Sequence, residues 1–197
     1  MLATDELKQE HRVIERMLAV IDAAAYRQKL GRDLPPQFFP RVVNFVRNFA
    51  DRCHHGKEED NLFPAMEKRG IPGHDGPIGV MLVEHDRGRL YVREMDEAGH
   101  RFESGDLAAV KVAVENAVGY SELLRDHIYK EDTILYKMAD QVFTAADQKE
   151  LLEKFEEVEK ERIGVGKHAE YLKLVEDLER EVGITSASIE PVGHQHS

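Results

Sequence analysis

The chain of 197 residues has a single cysteine, no tryptophan and no apolar run approaching the roughly eighteen residues that a membrane-spanning helix needs. One thiol, Cys53, rules out an intramolecular disulfide framework and fits a reducing compartment. Positive charge is scarce: 27 Lys and Arg stand against 38 Asp and Glu, a formal net charge of −11 with no basic stripe. That balance argues against a nucleic-acid partner, whose phosphates are gripped by Lys and Arg. The HExxH spacing of zinc proteases, the hydrolase nucleophile elbow and the phosphate-binding P-loop are all missing, which removes three common enzyme classes. The first residues, MLATDELKQEH, lack the basic-then-apolar order of a secretory leader and read as the start of a helix, so a cytoplasmic location is expected. No segment alternates at period two for long enough to make a strand. An all-α fold is what remains.

What the chain has is one pattern written twice. Residues 54–66 read HHGKEEDNLFPAM and residues 127–139 read HIYKEDTILYKMA. Laid together, His54 matches His127, Lys57 matches Lys130, Glu58 matches Glu131, Glu59 matches Asp132, Leu62 matches Leu135 and Phe63 matches Tyr136. A Glu-His pair stands upstream of each copy, Glu10-His11 and Glu84-His85. His11 precedes His54 by 43 residues and His85 precedes His127 by 42. An internal repeat of this kind fixes architecture before any finer reading.

Residues four apart share one face of a helix. His54 and Glu58 can therefore reach one point, and so can His127 and Glu131. Their ridges are otherwise apolar: Ala50 and Leu62 flank the first pair, Leu123 and Leu135 the second. His11 lies between Leu7 and Leu18, and His85 between Met81 and Val92. Six polar or ionisable side chains would thus point inward, and a buried carboxylate with neither partner nor metal costs several kcal/mol. A shared cation removes that cost. An HxxxE pair alone is a common surface salt bridge, and a lone His on an apolar face is usually a hydrogen-bonded core residue; it is the joint, duplicated pattern that points to metal. Imidazole with carboxylate suits Fe, Mn or Zn, and six ligands with two shareable carboxylates fit two ions better than one tetrahedral Zn.

Helical period and end signals give the order of elements. A first helix runs to about Leu30, capped by Thr4 or Asp5 and stopped by Gly31. A second starts at Leu34-Pro35-Pro36, carries the first HxxxE and ends near Gly70, with Pro64 as a kink or early end. Residues 70–77, GIPGHDGP, are a loop. A third helix over 78–100 holds His85, and a fourth from Ser104-Gly105-Asp106 to about Asp140 holds the second HxxxE. Thr144 with Asp147 caps a fifth helix, Gly164 and Gly166 break it, and a sixth piece covers 167–181. Four helices feeding one inward site define an up-down four-helix bundle, a usual home for metal ligands. The bundle is expected over 1–141, a helical extension packed on it over 142–182, and a flexible tail over 183–197.

With these residues assembled, the chain resembles the hemerythrin-like family, or HHE cation-binding domains, over roughly residues 3–141. EHR at 10–12, HHGKEEDNLFP at 54–64, EHD at 84–86 and HIYKEDTILY at 127–136 carry the resemblance. It implies a non-haem di-iron centre, two Fe with Zn or Mn as substitutes. His11, His54, His85 and His127 would be terminal ligands, with Glu58 and Glu131 as bridges. Oxygen-carrying members have a further histidine on the third helix; here the positions four from His85 are Met81 and Arg89. The missing ligand would leave a place for O₂, NO or peroxide, as in the repair and sensor branches of the family. A di-iron oxidoreductase would turn such a molecule over. A metal-stabilised sensor working through a protein partner or a homo-oligomer, and an iron store, are the alternatives.

Other side chains compete for that place. His55 faces a different side of an ideal α-helix from His54, and Glu15 sits four after His11 with Arg89 as its repeat partner, which favours a surface ion pair. Glu10, Glu59, Glu84 and Asp132 are expected beside the ligands or in solvent, Lys57 and Lys130 with acids on the outer face, and Cys53 as a small packing residue. His74, His100, His168, His194 and His196 read as solvated or structural.

Overall fold

The computed structural model describes residues 1–162, 164 and 166–184. Its described residues form helices and no strand, as expected. Helix α1 spans Ala3–Lys29, α2 covers residues 38–68, α3 spans Pro77–Glu103, α4 covers residues 109–142, α5 spans Ala145–Arg162 and α6 spans Lys167–Val182. Short connections bring successive helices side by side, α3 packing along α4, α4 against α1, and α2 against α3. The α1–α2 side is covered by α5 and α6.

Two expected ends moved. The Pro35 carbonyl accepts a hydrogen bond from the Phe38 amide at 2.9 Å, so Leu34-Pro35-Pro36 forms a turn ahead of α2 and not its first turn. At the N-terminus, Asp5 reaches back to the Leu2 amide at 2.8 Å, while the Thr4 hydroxyl leaves the backbone and donates to Asp140 at 2.6 Å. The Thr144–Asp147 cap forms as read: Asp147 accepts from the Thr144 amide and hydroxyl at 2.7 Å each. Gly164 and Gly166 separate α5 from α6 with φ of 92° and 81°, a left-handed backbone that glycine adopts without a steric penalty.

Helices α2 and α4 depart from regular α geometry where the repeat lies. Val46–His55, Glu58–Leu62 and Glu131–Leu135 are wound as π-helix. Such wide turns are rare and concentrate at functional sites. Each copy of HxxxE opens a five-residue π turn at its glutamate. Beyond the first of these, Pro64 sits in the opening turn of Phe63–Lys68, where its missing N–H costs least.

The core divides into two apolar lobes. One, around Ile14, Met17, Phe45, Phe49, Met95 and Ala117, fills the lower bundle. The other, around Leu7, Leu62, Phe63, Met81, Leu135 and Phe155, fills the upper end and takes in α5. His11 lies on α1 between Leu7 of one lobe and Ile14 of the other, and the remaining inward-facing polar residues occupy the same level.

Candidate metal centre

All six residues expected as ligands are buried at 0–1% exposure. His11 comes from α1, His54 and Glu58 from α2, His85 from α3, and His127 and Glu131 from α4. Together with His55, their polar atoms gather into two groups, the atoms of each within 4.8 Å of one another: His11, His54 and Glu131 in one, His55, Glu58, His85 and His127 in the other. The carboxylates run between the groups. Glu131 turns Oε2 to His11 Nε2 at 3.1 Å and Oε1 to His127 Nε2 at 3.2 Å. Glu58 Oε2 lies 3.8 Å from His54 Nε2 and 3.5 Å from His85 Nε2. Within the second group, His85 Nε2 and His127 Nε2 lie 3.1 Å apart.

The other ring nitrogen of each histidine is held by a carboxylate from a different helix. Nδ1 of His54 meets Glu10 at 2.9 Å, His127 meets Glu84 at 2.9 Å, His11 meets Asp132 at 2.7 Å and His85 meets Glu59 at 2.6 Å. The pattern obeys the repeat: the acid before His11 or His85 holds the histidine of the following HxxxE, and the acid after Glu58 or Glu131 holds His85 or His11. A histidine fixed this way presents Nε2 in one tautomer and one orientation, the usual support for a metal-ligating imidazole. Lys57 and Lys130 complete the crossing by donating to Glu10 and Glu84.

Lys57 corrects the sequence reading, which had it on the outer face. It is fully buried, donates to Glu6 at 2.7 Å and Glu10 at 2.6 Å, and lies under α5 with Nζ 5.7 Å from the Phe155 ring centre. Burial works against its charge, but Glu10 and Glu6 outweigh that and hold the ammonium more firmly protonated than a free lysine. Lys130, its repeat partner, keeps a third of its side chain in solvent.

Two residues near the centre were missed or misplaced. Tyr136 donates to Glu58 Oε1 at 2.6 Å and stacks on His11 with ring centres 5.5 Å apart. Phe63, its repeat partner, stacks on His85 at 6.1 Å, so the aromatic was legible as a pair but its hydroxyl was not. His55 was expected to face away from His54. It is 4% exposed, stacks on His85 with ring centres 3.8 Å apart and bonds Asp51 at 3.3 Å. The π winding of residues 46–55 widens the turn, so adjacent side chains diverge less than in an α-helix. One signal was available: the repeat partner of His55 is Ile128, a buried core residue.

The electrostatics divide the six. Burial lowers His54 well below its ordinary range, aided by the charge of His11, and lowers His85 to about 3, aided by His55. Burial also opposes charge on His127 and His11, but Glu131 takes the first up to about 9, and Asp132 with Glu131 raises the second. Burial and then the charge of Glu131 raise Glu58 well above the carboxylate range. Burial would raise Glu131 as well, yet the charge of His127, with His11 close on its other side, holds it well below. His54 Nε2, Glu58 Oε2 and both oxygens of Glu131 have no satisfactory hydrogen bond although they are buried. Buried polar atoms are nearly always satisfied, and these four converge on the space between the two groups. Imidazoles and carboxylates aimed at one space suit divalent cations of the Fe, Mn and Zn kind.

The remaining candidates lie elsewhere. Glu15 pairs with Arg12 at 3.3 Å, away from the centre. His100 is exposed beside Asp96, His74 is exposed in the 70–77 loop, and His168 sits edge-on to Phe49 at 5.1 Å. Cys53 is buried, and burial pushes its thiol up to about 12, so it packs and does not react. His194, His196 and the expected tail from residue 185 on fall outside the described residues.

A family model described as the hemerythrin HHE cation binding domain matches residues 2–139. Similar proteins include an uncharacterised protein of Mycobacterium bovis and uncharacterised proteins of two Mycobacterium tuberculosis strains. Each is 24% identical over 186 residues, covering 94% of this chain and 72% of the relative. No solved structure matches the chain.

Proposed function

The chain belongs to the hemerythrin HHE cation-binding family, whose model spans residues 2–139, and from that membership we propose that it is a non-haem di-iron protein that binds and reacts with a small oxidant. One ion would be held by His11 and His54, the other by His85 and His127, with Glu131 and Glu58 shared between them. The observation that carries this reading is Glu131, whose two oxygens face histidines of opposite groups at 3.1 and 3.2 Å. A carboxylate so disposed is built to bridge. Two iron ions would supply electrons to an oxidant such as O₂, NO or peroxide; Zn or Mn would fill the same positions, Zn without that redox chemistry. The protein's part is to orient four imidazoles through Glu10, Glu59, Glu84 and Asp132, to keep water out between two apolar lobes, and to hold a proton at the Tyr136 hydroxyl against Glu58. The buried, unreactive Cys53 is compatible with a cytoplasmic setting.

Elemental analysis tests the reading directly. Protein produced with added iron should carry two Fe per chain, and its Fe(II) form should gain near-ultraviolet charge-transfer absorption in air that the Zn form lacks. Glu131→Ala should hold no more than one Fe. Wild-type protein with less than one Fe per chain, or Glu131→Ala that keeps two, would sink it. Many irons per chain would indicate storage instead.

One observation favours a second reading, that of a redox or iron sensor. The chain of contacts His54–Glu10–Lys57 ends under Phe155 and 3.8 Å from Glu159, both on α5. A change at the centre would reach α5, and through it a partner protein, by that route. Unchanged protease sensitivity of α5 and α6 across metal loading, oxidation and reduction would remove this reading.

A further inference from the structure

Where α2, α3 and α4 meet, a cavity of about 170 Å³ lies between the surface residues Arg47 and Arg89 and the rings of His55 and His85. Through His85 it shares a wall with the metal centre. Its volume suits a molecule of a few heavy atoms, since one water takes about 30 Å³ of liquid. Three features describe what it would accept.

The first is Tyr120. The ring is 2% exposed and lines the cavity, and its hydroxyl has no hydrogen-bond partner in the protein. A buried hydroxyl wants a partner, so the guest should itself form hydrogen bonds. The second is the mouth. Arg89 is already paired with Asp51 at 2.8 Å, Glu59 at 2.7 Å and Asp86 at 3.0 Å, and Arg47 with Asp96 at 2.7 Å. Both cations are neutralised by acids, so the opening does not attract an anion. The third is the inner end, where Asp51 bonds His55 and Glu59 bonds His85. Arg89 therefore grips the two carboxylates that orient the two histidines facing the cavity.

A small, neutral, hydrogen-bonding molecule fits all three, and among the oxidants a di-iron centre takes, that is hydrogen peroxide. O₂ and NO are apolar diatomics that need no hydroxyl on their way, and an oxyanion would meet the acids around Arg89. We propose that this cavity is the access route and binding site for hydrogen peroxide, with the Tyr120 hydroxyl as its hydrogen-bonding partner and the Arg89 cluster as its mouth. The inference rests on the di-iron reading and adds its substrate and its direction of approach.

Two variants test it. Gly88 lines the cavity from α3, and a Cβ there would stand 3.5 Å from the Tyr120 ring, an ordinary contact. Gly88→Leu should therefore fill the space, and Tyr120→Phe should remove the hydroxyl while keeping the shape. The Fe(II) protein is mixed with hydrogen peroxide and, separately, with O₂ in a stopped-flow instrument, and iron is counted in every sample. The metal-free proteins are titrated with xenon and followed by ¹²⁹Xe NMR. Wild-type protein should bind xenon and Gly88→Leu should not. Gly88→Leu should slow oxidation by peroxide at least tenfold, and Tyr120→Phe should slow peroxide several-fold more than O₂, with two Fe per chain throughout. Peroxide rates within twofold of wild type in both variants, at full iron content, would overturn the inference and leave the di-iron reading standing. Equal slowing of peroxide and O₂ in Tyr120→Phe would overturn the assignment to peroxide. Wild-type protein without iron would overturn both readings, and the iron count reveals it before any rate is measured.

Discussion

At the scale of single residues, the ligand set is not the whole of the site; its orientation is set one layer further out. Glu10, Glu59, Glu84 and Asp132 each fix one imidazole from another helix. Loss of such an outer partner typically costs 10–100-fold in metal affinity. Asp132→Asn and Glu10→Gln should each weaken metal binding by about that factor, read by competition with a chelator, while the fold by circular dichroism stays unchanged. Because Asp132 holds His11 and Glu10 holds His54, both serve the same half of the centre, and each should weaken the same one of two binding steps and spare the other. Affinity within twofold of wild type in both would mean that the ring orientations are set by packing alone. The six inward residues were legible in the sequence because duplication makes coincidence improbable. The crossing of acids between helices was not, since Glu10 precedes His11 in the chain but serves His54. Tyr136 was hidden for another reason. At the register of Phe63 it reads as one more core aromatic, and only the 2.6 Å contact with Glu58 reveals the hydroxyl's task.

At the scale of elements, the helices and the loop at 70–77 could be read from periodicity, capping residues and glycine. The π turns at Glu58–Leu62 and Glu131–Leu135 could not. An apolar ridge at i, i+4 tolerates one widened turn without losing its stripe, so nothing in the pattern marks the change. That is also why His55 was misplaced. The role of α5 escaped for want of long-range information: its apolar positions predict burial but not what they bury. Phe155 is fully buried in the upper lobe, with the Lys57 ammonium over its ring. Phe155→Ala should cost about 3–5 kcal/mol, as large-to-small changes at buried phenylalanines do. It should also raise hydrogen exchange across residues 145–162 and in the first turns of α1, where Glu6 and Glu10 hold Lys57. Faster exchange confined to α5 would show that α5 is a cover without connection to the centre.

At the scale of the molecule, two apolar lobes enclose a layer of ionisable groups, and the protein without metal must carry that layer at a cost that depends on pH. His55 and His85 are lowered by burial to about 4 and about 3, whereas in the unfolded chain they titrate near the usual value of about 6.5. As pH falls below about 6.5 the unfolded chain takes up two protons that the folded protein refuses, and stability falls with it. Each such proton is worth about 1.4 kcal/mol per pH unit, so the two together give roughly 2.7 kcal/mol per unit down to about pH 4. His54, lowered in the same direction, adds to this. His127 acts oppositely. Glu131 overcomes its burial and raises it to about 9, so its contribution is full below about pH 6.5 and is lost as pH rises toward 9. His11, also raised, adds to the alkaline loss. Glu58, raised by burial and by Glu131, also loses stability as pH rises above the usual carboxylate range. Three lowered histidines outweigh it on the acid side, so the metal-free protein should be most stable near pH 6.5 and weaker on both sides. Urea unfolding of the chelator-treated protein at pH 5, 6.5 and 8.5 measures this, and midpoints that do not change would contradict it. Metal should lift the whole curve. A ligand present at about a thousandfold its Kd stabilises by roughly 4 kcal/mol per site, and about 1 kcal/mol moves the midpoint of a domain this size by roughly 2–4 °C. One filled site is thus worth roughly 8–16 °C. The lift should shrink below pH 6, because protons compete for the imidazoles that metal must find deprotonated.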